Sequence, residues 1–141
     1  MADAFNPPGV IEPFGIFSNA AWQGDGAILQ IAGQVAWNAD GKVVGHGDIA
    51  AQTEQVLENV KAIVESAGGT MADIVSVIVY VTDMAGLDQI HAVRARYFEK
   101  PYPASTLVQV AGLVHPDLLI EISAVASIPH DRVKRPSPAA D

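Results

Sequence analysis

The chain has 141 residues, half of them hydrophobic, which fits a single domain with a core of its own. Eight basic against sixteen acidic side chains give a net charge of −8, which opposes a nonspecific hold on a nucleic-acid backbone or an anionic membrane. The absence of cysteine excludes disulfides, thiolate metal sites and a cysteine nucleophile.

Residues 1–15 and 129–141 hold most of the prolines and little periodicity, so they read as a flexible N-terminal arm and C-terminal tail around a folded body of about residues 10–128, within one domain over 1–141. No charged segment followed by an apolar one marks a secretory signal, and the apolar runs are strand-sized. A soluble, cytoplasmic protein is expected. Residues 16–22, then Gly24-Asp25-Gly26, then residues 27–37 read as strand, turn and strand, a tight hairpin. From Asp48, an N-cap residue, Ile49, Val56, Leu57, Val60, Ile63, Val64 and Ala67 recur at three and four until Gly68-Gly69, which predicts a helix.

Residues 74–82 are a β-branched run, with Val75, Val77, Val79 and Val81 pointing one way and Ser76, Ile78 and Tyr80 the other. A second helix over residues 84–98 turns Leu87, Ile90, Val93 and Tyr97 to the core before Pro101 and Pro103 stop it. Residues 102–110 and 118–126 close the chain as two strands, whose alternation is expected to send Ser105, Gln109, Glu121 and Ser123 to one face. The order predicts an α+β fold, one sheet with both helices on a single face. The other face would carry Ile78, Tyr80, Leu107, Leu119 and Val125, an apolar surface that predicts self-association.

The four histidines, at 46, 91, 115 and 130, have no metal-ligand spacing, and there is no phosphate-binding glycine loop or nucleophile elbow. No metal is expected. Glu121, between Ile120 and Ile122, is the strongest candidate for proton transfer, although an edge-strand glutamate pointing into water has the same pattern. His91 reads either as a functional group or as a solvated helix histidine, and Arg94 and Arg96 read as salt-bridged surface residues. Trp37 either lines a pocket or caps the core.

Five segments carry a family likeness: Phe17-Ser18-Asn19-Ala20; Ala32-Gly33-Gln34-Val35; Asn59-Val60-Lys61-Ala62-Ile63-Val64-Glu65-Ser66-Ala67-Gly68; Tyr102-Pro103-Ala104-Ser105; and Ile120-Glu121-Ile122-Ser123-Ala124-Val125-Ala126. Through them the chain resembles the RidA/YjgF/UK114 family of enamine and imine deaminases over about residues 10–127. The resemblance implies a chorismate-mutase-like α+β fold, a homotrimer with active sites in clefts between subunits, no metal or cofactor, and hydrolysis of reactive 2-aminoacrylate or its imine tautomer to a 2-keto acid and ammonia. It also implies that Glu121 activates water, that Gly33 keeps the family's pocket glycine, and that Leu107 presents its backbone to the pocket.

Four pocket positions depart from that pattern. Ser105 stands where the family has a carboxylate-binding arginine, Phe17 where it has a tyrosine, Ala32 where it has a serine, and His91 where it has a helix asparagine. A serine hydroxyl does not replace a bidentate guanidinium, so a small 2-imino acid is expected to bind poorly. The expectation is a hydrolase for a larger or carboxylate-free imine or enamine, with His91 as proton donor. The alternative is a non-catalytic trimer of the same fold that binds a small molecule or has a regulatory role. Some relatives are associated with RNA cleavage, which the acidic charge opposes, so no nucleic-acid and no membrane partner is expected.

Overall fold

The computed structural model describes residues 2–138. Along them run β1 (Asp3–Phe5), β2 (Ala20–Trp22), β3 (Ala27–Val35), α1 (Ile49–Ser66), β4 (Ile74–Val81), α2 (Leu87–Tyr97), β5 (Ala104–Gln109) and β6 (Ile120–Ile128). Helix α1 forms where its periodicity places it: the Asp48 carboxylate accepts from the Ala51 N–H at 3.1 Å, and Val56, Leu57, Val60 and Val64 are fully buried. It ends at Gly68, which sits at φ +88° with the Arg132 carbonyl against it, so a side chain has neither the backbone freedom nor the space there. Helix α2 begins later than the sequence suggests, because Asp83 caps the Ala85 N–H at 2.9 Å and winds Met84–Gly86 into a separate 3₁₀ turn.

The main sheet has the strand order β3-β6-β4-β5. Strand β6 is antiparallel to both β3 and β4, while β4 and β5 are parallel. One face is covered by the helices: Ile31, Val77, Val79, Val81, Ile120, Ile122, Ala124 and Ala126 pack with the apolar stripe of α1 and with Ile90 and Val93 of α2 in one core. The opposite face carries Ile28, Ile78 and Val108, each about two-fifths exposed at 38%, 38% and 40%, beside half-buried Tyr80 and Val125. Among the described residues no helix is long and apolar enough to cross a membrane.

Three expectations are corrected. Strands β2 and β3 do not form a hairpin; β2 pairs instead with β1, from the segment read as an arm, and Phe5 lies 6.2 Å from Trp22 ring to ring. Three-residue strands are too short to show alternation in a proline-rich segment. Ser105 and Glu121 do not share a face. In the register, Ser105 lies beside Val77 and Gln109 beside Val81, on the helix side, whereas Glu121 lies beside Tyr80 on the other. Leu107, beside Val79, likewise packs against the core rather than lying on the open face. A single-residue shift in register exchanges the faces of a strand, and the sequence alone does not set it.

The C-terminal segment is also tied down beyond β6, at least as far as Lys134, whose N–H donates to the Ala67 carbonyl at 2.8 Å. Arg132 makes two bonds to the buried Asp73, at 3.0 and 2.9 Å. Burial pushes the Asp73 carboxyl up, but bonds from Arg132 and the Thr70 N–H outweigh it and hold the group below its ordinary value of 3.8. A depressed carboxyl stabilises the fold above its unfolded value and loses that contribution as the pH falls through the folded one. Chemical denaturation of the Asp73→Asn variant is expected to show lower stability than wild type at pH 7 and a smaller decline below about pH 4. Parallel pH profiles for the two proteins would contradict this linkage.

Candidate active site

Glu121 stands near the start of β6 on the face that no helix covers, half-buried, and its carboxylate has no hydrogen-bond or ion-pair partner among the described residues. The side chain folds over Gly33. A Cβ added at Gly33 would collide with Glu121 Oε2 and stand 2.7 Å from Cδ, so glycine is what lets the carboxylate lie against the β3 backbone. The register explains this proximity, since Ile31 pairs with Ala124 but Gln34 with Ile122, which leaves one extra residue in β3 at Ala32-Gly33. Such a bulge re-aims the strand beside the carboxylate.

Two amide side chains of α1, which the sequence reading passed over, hold the backbone on either side of this arrangement. Gln52, fully buried, donates to the carbonyls of Gly45 at 3.1 Å and Asp117 at 2.8 Å and accepts from the Leu119 N–H at 2.8 Å, just ahead of Glu121. Asn59 donates to Val35 O at 3.2 Å and Trp37 O at 3.0 Å, just past Gly33. Amides with their bonding capacity used in this way, Gln52 buried and Asn59 half-buried, fix the strands rather than react.

The second group of predicted residues gathers around the outer edge of β5. There Ser18 bridges to Ala104, and its N–H donates to Pro103 O at 2.9 Å, so the preceding residues run along α2. A Cβ on Gly15 would lie 3.6 Å from His91 Cε1 and 3.8 Å from Phe17 Cδ1, which puts the imidazole and the phenyl ring on the same wall. Gly15 and Phe17 also line an open cleft of about 470 Å³ together with Ser18, Lys100 and Tyr102.

His91 is half-buried rather than solvated. Desolvation, then the neighbouring Arg94 charge, lower its pKa against the pull of Asp88, which keeps the imidazole neutral at pH 7 and argues against a standing imidazolium acid. Its Nδ1 is buried and has no partner.

Arg94 is the residue that sequence reasoning misplaced. It is 1% exposed, and its Nη2 donates at 3.0 Å to Ile16 O and at 3.0 Å to Ser105 Oγ. Burial lowers its pKa to about 10, so the guanidinium remains charged at pH 7. The sequence held a signal for this: position 94 is four after Ile90 and three before Tyr97, on the inward stripe of α2. Arg96, on the outer side, does make a surface ion pair, with Glu54 at 3.6 Å. The surroundings of Ser105 therefore include a buried guanidinium, delivered by α2.

Trp37 packs on the core and bridges to Val43, which fits core capping. Within one chain the structure brings together His91, Ser105, Phe17 and Arg94, and separately Glu121, Gly33 and Ala32. It does not bring the two sets together, because β4 lies between β5 and β6 and the sets face opposite sides of the sheet. A larger cleft of about 550 Å³, with Glu58, Lys61, Tyr97 and Lys100 in its wall, contains none of the predicted residues.

The family described as Endoribonuclease L-PSP matches residues 10–128. A Rid-family protein, YyfB of Yersinia pestis, is 43% identical and superposes with a TM-score of 0.83 over 90% of this chain and 98% of its own. RidA of the Antarctic bacterium Psychrobacter is 31% identical with a TM-score of 0.68, covering 89% of this chain and 94% of its own. The YjgF product of E. coli is 33% identical with a TM-score of 0.65, over 89% and 93%. The order of elements and these likenesses agree: the chain belongs to the RidA/YjgF/UK114 family, the one described as Endoribonuclease L-PSP.

Proposed function

We propose that this protein hydrolyses a reactive imine or enamine, releasing ammonia or an amine, and that it does so as a homotrimer. The observation that supports this most is Glu121, a carboxylate without a partner, held over Gly33 on a sheet face that presents apolar side chains to solvent. In the reaction, protonation of an enamine carbon gives an iminium. Water then adds to the carbon as Glu121 takes one of its protons, forming a carbinolamine. Return of that proton to nitrogen and expulsion of ammonia leave the carbonyl product, so one water is consumed for each ammonia released. His91, neutral and close to Arg94, fits a hydrogen-bond donor to the substrate better than a charged proton source.

Assembly bears directly on the chemistry. Since Glu121 and Ser105 face opposite sides of one sheet, a shared cleft requires that one copy supply the glutamate and another the Arg94 group. Burial of Ile28, Ile78 and Val108 against other copies would drive that association. The names of some relatives point to RNA cleavage, but a chain of net charge −8 is poorly suited to hold a polyanion.

Glu121→Gln is expected to lower ammonia release from imines generated in situ by an amino-acid oxidase by on the order of 10²–10⁴-fold, with the oligomer intact in sedimentation. Turnover equal to wild type would remove Glu121 from the mechanism. Ligand-induced thermal stabilisation of a wild type that releases no ammonia would favour a binding protein instead. Gly33→Ala should displace the carboxylate and lose activity like Glu121→Gln while the far-UV spectrum is unchanged; full activity would mean that the backbone contact is incidental. Ile78→Asp should sediment as a monomer without activity, and an active assembled variant would contradict a role for this face.

A further inference from the structure

The cleft of about 550 Å³ between α1 and the end of α2 contains none of the residues assigned to hydrolysis. Its volume is in the range that holds a small molecule. Buried Ile74 and Phe98 and half-buried Met71 and Tyr97 give it an apolar base. Burial, and then the Glu58 carboxylate to which its hydroxyl donates, push the Tyr97 phenol up to about 12, so that ring adds no charge at pH 7.

The charged side chains of the cleft divide by element. From α1 come Glu58 and Glu65 against Lys61 alone, while the end of α2 and the segment after it bring Arg96 and Lys100 against Glu99 alone. One side is therefore acidic on balance and the other basic. The two do not neutralise each other: Arg96 pairs with Glu54, outside the cleft, at 3.6 Å, and among the described residues Glu65 and Lys100 have no ion-pair partner.

We propose that this cleft binds a free amino acid with a large apolar side chain, its ammonium toward α1 and its carboxylate toward Lys100. A ligand of one charge is attracted by one side and repelled by the other, whereas a zwitterion is attracted by both. Glu65 and Lys100 are the groups left to respond, since Glu58 is engaged by Tyr97 and Arg96 by Glu54. The apolar side chain of the ligand leaves water against Met71, Ile74, Phe98 and Tyr97. All six charged side chains are exposed, so each contact is screened and the affinity is expected on the order of millimolar. The site lies on the helix side of the sheet, opposite to Glu121, and does not rest on the hydrolysis proposed above. Lys100 and Pro101 also line the cleft beside Phe17, so a bound amino acid would touch the partition between the two.

The full-length protein would be titrated with phenylalanine, 3-phenylpropionate and phenethylamine, which share a phenylethyl group and differ in charge, while backbone amide resonances are followed by NMR. Phenylalanine is expected to give saturable shifts at residues 70–72 and 97–100, and the two singly charged compounds to bind at least about threefold more weakly. Alanine, with the same charges and no ring, should bind at least about tenfold more weakly. Lys100→Ala should weaken phenylalanine and 3-phenylpropionate by about threefold and spare phenethylamine; Glu65→Ala should weaken phenylalanine and phenethylamine and spare 3-phenylpropionate. Both side chains are exposed, so neither change threatens the fold. Equal affinity for the three phenyl compounds would mean that the apolar base alone binds, and would overturn the amino-acid assignment. No saturable shift, as expected of a cleft that holds only water, would overturn the site, and so would shifts confined to Phe17 and His91.

Discussion

A guanidinium taken out of water is expensive to hold, and much of the β5 side of this molecule is arranged around doing so. Arg94 reaches from α2 to a strand hydroxyl and to the carbonyl of a segment 78 positions earlier in the chain. Those two bonds tie the helix, the edge strand and the residues leading into β2 to one point. The segment around Gly15, Ile16 and Phe17, which has no regular secondary structure, owes its place to that contact and to the Ser18 bridge on β5. The price of burying a charge is tolerable because the strands and α1 form a core that does not depend on it.

The opposite side follows another rule. Gln52 and Asn59 are also polar groups facing inward from a helix, but their amides are matched by backbone donors and acceptors. Matched groups immobilise what they touch, here the entry to β6 and the exit from β3. Glu121 can stay unpaired because its backbone is held by others. The contrast between matched amides on α1 and unmatched nitrogens on α2 separates scaffold from site more clearly than residue type does.

Much of the fold was legible in the sequence. The stripe in α1 and the alternation in β4 and β6 are the direct imprint of one buried face, and Asp48 and Gly68 mark the helix ends by capping chemistry. Glu121 could be found, since a carboxylate in an apolar strand asks for a reason, whereas Gly33 entered only through the family likeness. What stayed hidden depends on pairing between distant segments: the parallel register that turns Ser105 toward the helices, the extra residue in β3 that brings Gly33 under Glu121, and the partnership of β1 with β2. Arg94 was hidden differently. Its place on the inward stripe was readable, but a positive charge there goes against the usual exposure of arginine.

The opposite facing of Ser105 and Glu121 has an evolutionary consequence. The groups suited to hold a ligand sit on α2 and β5, those suited to handle water on β3 and β6, and each set is braced by its own contacts. Drift in one set need not disturb the other. A lineage can alter the α2 and β5 edge of the sheet while the Glu121 side stays as it was.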